Sequence, residues 1–207
     1  MSFSPLPKDF TYLHEFLPEV LLEIRYASFY NFIGKPINGY TSPVAILSKE
    51  AAEKLKMASK YLYKKDFILK IFDAYRPQKA LDHIVKWAAD LNDTSMKKYF
   101  YPGIDKAQLI PEGYISDRSA HTRGSALDLT LVNMNSGCDL DMGTPFDYLG
   151  EQANHGSISI TAEQTANRNI LKDAMEQTGF APYDQEWWHY ILINEPYPDT
   201  YFDFPFE

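Results

Sequence analysis

The chain has 207 residues, 45% of them hydrophobic, which is enough to bury the core of one domain. The formal net charge is −8 at pH 7, and no basic run or stripe occurs. These features argue against nucleic acid or an anionic membrane surface as the main partner. We therefore expect the chain to act on a small molecule.

Cysteine usage and the N-terminus bear on where the protein works. Cys138 is the only cysteine, so neither an intrachain disulfide nor a multi-cysteine metal site can form. The N-terminus lacks the pattern of a signal peptide, and no apolar run approaches the ~18 residues that suggest a membrane span. We expect a cytoplasmic protein, or a periplasmic or secreted one if an upstream signal has been removed.

The first part of the chain is predicted to be an arm followed by a strand and a loop. Residues 1–18 carry three prolines and little periodicity, which predicts an extended arm. Alternating apolar residues over 20–26 predict a half-buried strand. Glycine and proline punctuate residues 31–40, which indicates a structured loop.

Two helices and a strand are predicted next. Ser48 is a suitable N-cap for a helix that runs to about residue 64. The apolar run 67–72 predicts a strand, and Pro77 can open the following helix. Residues 92–118 show no regular pattern.

The second half of the chain predicts two more strands and a helix. Alternating leucines over 125–132 predict a strand with Asp128 on the side opposite the leucines. The segment 133–160 is too long to be a simple connection, which makes it a candidate functional loop. A capping box at Thr161 starts a helix, 186–193 form a final strand, and 195–207 form an extended tail. We predict one α+β domain over residues 1–207.

Two short stretches concentrate residues that can bind a metal. One runs from Ser119 to Asp128 and contains His121, and the other, Glu186-Trp-Trp-His189, follows some sixty residues later. A catalytic zinc site typically has three nitrogen or oxygen ligands and an open fourth position. We predict that His121, Asp128 and His189 hold the metal, with Glu186 as the general base for water.

Simpler interpretations exist for these residues. A lone histidine is more often a structural residue than a ligand, and His14, His83 and His155 are assigned no metal role. An aspartate among the apolar residues 126–132 is costly unless a cation or hydrogen bonds compensate it, which favours a ligand at Asp128. Arg76 could stabilise a developing oxyanion or simply pair with Asp73, and local sequence does not choose between these roles.

Longer motifs extend the pattern over residues 20–190. They are Glu23-Ile-Arg-Tyr26-Ala, Asn31-Phe-Ile-Gly34, Asp73-Ala-Tyr-Arg76-Pro77, Ser119 through Leu131, Asp141-Met-Gly-Thr-Pro-Phe-Asp147 and Glu186-Trp-Trp-His189. Together they resemble the zinc D-alanyl-D-alanine dipeptidases of the VanX type, which share a fold with the hedgehog signalling domain. The resemblance implies a small, mainly antiparallel sheet flanked by helices and one Zn²⁺ per chain. It also implies hydrolysis of D-alanyl-D-alanine to two D-alanines.

The resemblance also implies roles for individual residues. The metal ligands fall on His121, Asp128 and His189, the base on Glu186, and the transition-state arginine on Arg76. Substrate contacts fall on five further residues: Tyr26, Tyr40, Ser119, Asp147 and Trp187. Asp147 is a candidate partner for the free ammonium group of a dipeptide.

Three other functions use the same motifs. A D,D-carboxypeptidase or endopeptidase would act on longer peptidoglycan stem peptides through the same metal site. A binding module would hold zinc without catalysis, although Glu186 and Arg76 argue against it. A dipeptidase of broader or L-specific selectivity would differ only in pocket shape, which sequence does not supply.

Overall fold

The computed structural model describes residues 6–206, and a mixed sheet lies at its centre. In chain order the strands are β1 (Phe10–Tyr12), β2 (Leu21–Leu22), β3 (Ile46–Ser48), β4 (Phe67–Asp73), β5 (Ala126–Asn133), β6 (Phe180–Tyr183) and β7 (Glu186–Leu192). The α-helices are α1 (Leu13–Phe16), α2 (Lys49–Tyr63), α3 (Gln78–Ala89), α4 (Lys97–Phe100) and α5 (Ala162–Gln177). Short 3₁₀ helices span Arg25–Ala27, Lys106–Gln108, Ala120–Arg123 and Glu151–Ala153.

The strand order explains the architecture. Within residues 6–206 the main sheet has five strands in the order β2-β4-β5-β7-β6. β2 pairs with β4 in parallel, and each other neighbouring pair is antiparallel. β1 and β3 form a separate antiparallel pair. The predicted single α+β domain with a small, mainly antiparallel sheet is confirmed.

The two faces of the sheet have different chemistry. Leu127, Leu129 and Leu131 point to one face and are fully buried. Helices α2 and α5 contact the sheet and each other, and they cover this face. Asp128 alternates with the leucines, so it lies on the opposite face as predicted. The apolar layer therefore leaves one face of the sheet free to carry polar side chains.

Most of the predicted helices and strands are confirmed, and two caps match in atomic detail. The Ser48 hydroxyl accepts a hydrogen bond from the backbone N–H of Ala51 at the start of α2. Thr161 and Gln164 form a reciprocal capping box at the start of α5. Side-chain acceptors satisfy backbone donors that the first helical turn leaves unpaired.

Two predictions for the N-terminal region are wrong. The arm predicted over residues 1–18 contains β1 and α1, because Leu13 and Leu17 are fully buried and tie this segment to the core. The strand predicted over 20–26 is limited to Leu21–Leu22, and the chain then turns into a 3₁₀ helix. Tertiary packing buries alternate residues here without extending the strand pairing. Residues 1–5 and 207 of the predicted arms lie outside the described residues.

The C-terminal segment packs against the turn that contains Thr122 and against two tyrosine rings. The backbone N–H of Phe202 donates to the carbonyl of Thr122, and the ring of Phe204 stacks on Tyr75 at 3.9 Å. Phe206 is buried and stacks on Tyr40. None of the helices within residues 6–206 has the length and apolarity needed to span a bilayer.

Candidate active site

The three side chains predicted as metal ligands meet on the polar face of the sheet. Nε2 of His121 lies 3.1 Å from Nδ1 of His189 and 3.3 Å from Oδ2 of Asp128. Nδ1 of His189 lies 2.9 Å from Oδ1 of Asp128. Their ligand atoms all fall within 4.8 Å of one another, and no other group of this kind occurs in the described part of the chain. These side chains could hold one metal ion.

Local backbone structure brings these residues together. Asp128 on β5 lies directly opposite His189 on β7 in the strand register. His121 belongs to the 3₁₀ helix Ala120–Arg123, where the Ser119 hydroxyl accepts the backbone N–H of His121 at 3.2 Å. Gly124 ends this turn with φ of 74°, a conformation that favours glycine, and delivers the chain into β5. A capped turn and one pair of strands thus build the cluster.

The donor set fits a zinc ion. Nδ1 of His121 lies 2.6 Å from the carbonyl of Ala74, and as a donor there it leaves the Nε2 lone pair toward the cluster. Two imidazoles and one carboxylate match the ligands of catalytic zinc sites. Burial would raise the pKa of Asp128, but His121 and His189 outweigh it and hold this pKa well below its usual range. Asp128 therefore carries the negative charge that a cation needs.

Glu186 lies beside the cluster at the start of β7. Its Oε2 is 3.9 Å from Nδ1 of His189. Burial raises the pKa of Glu186 to about 7, against the opposing effect of His189 and Arg76. A carboxyl group with this pKa can take and return a proton near neutral pH, as general acid–base catalysis requires.

Arg76 is fixed by a buried network. Its Nε and one terminal nitrogen lie 3.0 and 2.9 Å from Oδ2 of Asp73, and the same nitrogen is 3.6 Å from Oδ2 of Asp128. Its guanidinium also lies 4.9 Å from the centre of the Tyr26 ring. The hydroxyl of Tyr40 donates to Oδ1 of Asp73 at 2.6 Å. Arg76 thus makes the Asp73 ion pair and still lies beside the cluster.

Asp147 is a buried carboxylate with one oxygen unpaired. The hydroxyl of Tyr26 donates to Oδ1 at 3.1 Å, whereas Oδ2 has no hydrogen-bond partner among the described residues. Asp147 also has φ of 63°, which is uncommon for a residue with a side chain. Burial raises the pKa of Asp147 well above its usual value, and Asp128 adds to this effect. A cationic group placed beside the free oxygen would offset this effect and favour the charged carboxylate.

A cavity of about 260 Å³ joins these groups. The predicted site residues that line it are Tyr26, Arg76, Ser119, His121, Asp128, Asp147, Glu186 and His189. Two predicted substrate contacts do not line it. Tyr40 lies behind Asp73, and the indole N–H of Trp187 donates to the hydroxyl of Thr144 beside a separate cavity.

Several residues that line the cavity belong to none of the sequence motifs described above. Tyr114, Arg118 and Tyr183 line it. The ring of Tyr183 also packs edge-on against His189, with centroids 5.8 Å apart. Arg118 directly precedes the Ser119 motif, which is the one signal that could have drawn attention to it. The tyrosines lie in segments without a regular pattern.

Comparisons of sequence and structure identify the relatives of this chain. The family model for D-Ala-D-Ala dipeptidases, peptidase M15, matches residues 7–207. The chain is 39% identical to a D-alanyl-D-alanine dipeptidase of Enterococcus faecium, covering 95% of this chain and 97% of the relative. It is 41% identical to one of Enterococcus faecalis, covering 96% and 98%. Among solved structures, the LdcB LD-carboxypeptidase aligns at a TM-score of 0.47 with 18% identity, covering 92% of this chain and 70% of that one.

Proposed function

Because the chain belongs to the D-Ala-D-Ala dipeptidase family of peptidase M15, we propose that it hydrolyses D-alanyl-D-alanine to two D-alanines with zinc as cofactor. The observation that carries this proposal is the meeting of His121, Asp128 and His189 beside Glu186 in one cavity. Zinc held by these three side chains would supply Lewis-acid chemistry, polarising the scissile carbonyl and making water more acidic.

Glu186 carries the proton in this mechanism. Its carboxylate takes a proton from the attacking water and passes it to the nitrogen of the leaving D-alanine. The C–N bond of the peptide breaks as that proton arrives. A pKa of about 7 suits both transfers, because the group is then neither a very weak base nor a very weak acid.

Arg76 stabilises the charge that develops on the carbonyl oxygen. Asp73 holds Nε and one terminal nitrogen, so the guanidinium is oriented before substrate arrives. A donor that needs no reorganisation is worth several kcal/mol to a developing oxyanion. The Tyr26 ring against the guanidinium further limits its movement.

The size and charge of the cavity favour a free dipeptide. Its volume of about 260 Å³ lies just below the roughly 300–1,000 Å³ of typical ligand pockets. The unpaired Oδ2 of Asp147 can accept the ammonium group of the substrate, which a longer stem peptide would not present here. We propose a small dipeptide as the partner and, because Cys138 is a free thiol, a cytoplasmic location.

D-alanine release tests this function. Zinc-loaded protein would be assayed with D-alanyl-D-alanine, its N-acetylated form, L-alanyl-L-alanine and a stem pentapeptide, each with and without a chelator. We expect release from the free D,D-dipeptide alone, abolished by the chelator. Release only from the pentapeptide would indicate a carboxypeptidase. No release from any peptide by protein that has bound zinc would contradict an enzymatic role.

A further inference from the structure

The roles proposed above leave one charge of the substrate without a partner. Three acidic side chains, Asp128, Asp147 and Glu186, face the cavity together with the two guanidinium groups of Arg76 and Arg118. A free dipeptide brings one ammonium and one carboxylate. Asp147 is proposed to accept the ammonium, and zinc at Asp128 would act on the scissile carbonyl. The terminal carboxylate of the dipeptide therefore still needs a cationic partner in the cavity.

Arg76 is poorly placed to be that partner. Asp73 takes two of its nitrogens at 3.0 and 2.9 Å, and Asp128 approaches one of them at 3.6 Å. We have assigned Arg76 to the oxyanion of the reacting carbonyl. Its remaining donors are those assigned to the oxyanion, so the terminal carboxylate of the substrate would have to share them.

Arg118 has the opposite character. Its side chain is exposed and makes no ion pair with any carboxylate in residues 6–206. The side-chain contact it does make is with the ring of Tyr201, 5.8 Å from guanidinium carbon to ring centre. Arg123 approaches the same ring at 5.7 Å but is bound to Glu195 at 2.8 and 2.7 Å. Arg118 is thus the cation at the mouth with free donors.

We propose that Arg118 is a specificity-determining residue that binds the free C-terminal carboxylate of the dipeptide. Its guanidinium can present two parallel N–H donors to one carboxylate, a geometry that lysine lacks. Ser119, the next residue, lines the same cavity and keeps Arg118 next to the turn that carries His121. The inference rests on the proposed dipeptidase function and names how that site selects a substrate with a free carboxylate.

A comparison of acid and amide substrates tests the inference. Steady-state kinetics would be measured on D-alanyl-D-alanine and on D-alanyl-D-alaninamide for the wild type, Arg118→Ala and Arg118→Lys. We expect Arg118→Ala to lower kcat/KM for the acid about tenfold or more, chiefly through KM, and to leave the amide unchanged. The kcat/KM of Arg118→Lys for the acid should lie between the values for the wild type and for Arg118→Ala. If the amide turns over too slowly, its inhibition constant against the acid replaces kcat/KM.

Lys98→Ala is the matched control for loss of a surface charge. Lys98 is also an exposed cation near an exposed ring, 5.8 Å from the centre of Tyr99, but it does not line the cavity. Lys98→Ala should leave kcat/KM unchanged for both the acid and the amide. Equal losses on acid and amide, or no loss in Arg118→Ala, would overturn the inference. A wild type that releases no D-alanine at all would instead contradict the proposed function.

Discussion

Asp73 and Asp128 lie opposite each other on β4 and β5, and Asp73 holds Arg76 while Asp128 contacts both candidate ligand histidines. The guanidinium proposed to stabilise the oxyanion and the candidate metal ligands are therefore held by neighbouring residues of the sheet. Asp73 is fully enclosed, and burial raises its pKa against the opposing charges of Arg76 and His121.

Replacing Asp73 should separate catalysis from metal binding. Asp73→Asn keeps the side-chain shape but removes the charge that orients Arg76, so we expect kcat to fall about 10²-fold or more with zinc content unchanged. Kinetics and metal analysis measure the two effects. Breaking a buried ion pair costs about 3–5 kcal/mol and could prevent folding. Tyr40→Phe, which removes the hydrogen bond of one hydroxyl to Asp73, is then the milder test. Loss of zinc from either variant in its folded state would contradict the assignment.

The proposed ligands should be individually required for zinc. Asp128→Asn or His189→Ala removes one of three donors, and we expect zinc bound per chain to fall from one to near zero at micromolar metal. Equilibrium dialysis followed by metal analysis measures the stoichiometry. His14→Ala serves as the control, since His14 is exposed and lies outside the cluster. Full zinc occupancy in either ligand variant would remove that residue from the site.

Much of this site follows from the sequence, because its residues lie in short, continuous motifs. The alternation around Asp128 and the Gly124 turn predict which way the side chains point. Cavity walls formed by irregular segments, including Tyr114, carry no periodic signal. The alternation over 20–26 arises because a chain that turns buries alternate residues. It therefore predicted a strand where the structure has a 3₁₀ helix at Tyr26. Whether a side chain such as Trp187 reaches the cavity depends on packing over several strands.

Gly124 should be essential for the turn that positions His121. A Cβ added there would overlap the ring of Phe10, and φ of 74° is strained for any L side chain. We expect Gly124→Ala to lower the free energy of unfolding by about 2–4 kcal/mol in urea denaturation. Gly137→Ala is the matched control, because Gly137 has φ of 70° with no atom within 4 Å. It should cost only about 1 kcal/mol, and equal losses in the two variants would contradict the role of Phe10.

His155 should make the fold sensitive to mild acid. Burial, with Lys172 and Arg168, lowers the pKa of His155 to about 4, against a weaker opposing effect of Asp184. Below the ordinary histidine pKa the unfolded chain binds a proton that the folded chain does not, so stability falls as the pH drops toward about 4. We expect this one group to remove about 2 kcal/mol of unfolding free energy between about pH 8 and pH 5.

The variant His155→Gln isolates that contribution. Urea denaturation of wild type and variant at several pH values gives the difference in unfolding free energy at each pH. The advantage of the wild type should shrink, or reverse, as the pH falls, because glutamine does not titrate. A difference that stays constant from about pH 8 to pH 5 would show that the folded and unfolded states bind the His155 proton equally well.

The most direct test of the central claim is the effect of Glu186→Gln on zinc-loaded protein. Both side chains occupy similar space, but glutamine cannot accept the proton from water. We predict that the variant binds one zinc per chain with unchanged affinity and releases D-alanine from D-alanyl-D-alanine about 10²–10⁴-fold more slowly. Turnover equal to that of the wild type, at equal zinc occupancy, would contradict the assignment of Glu186 as the base.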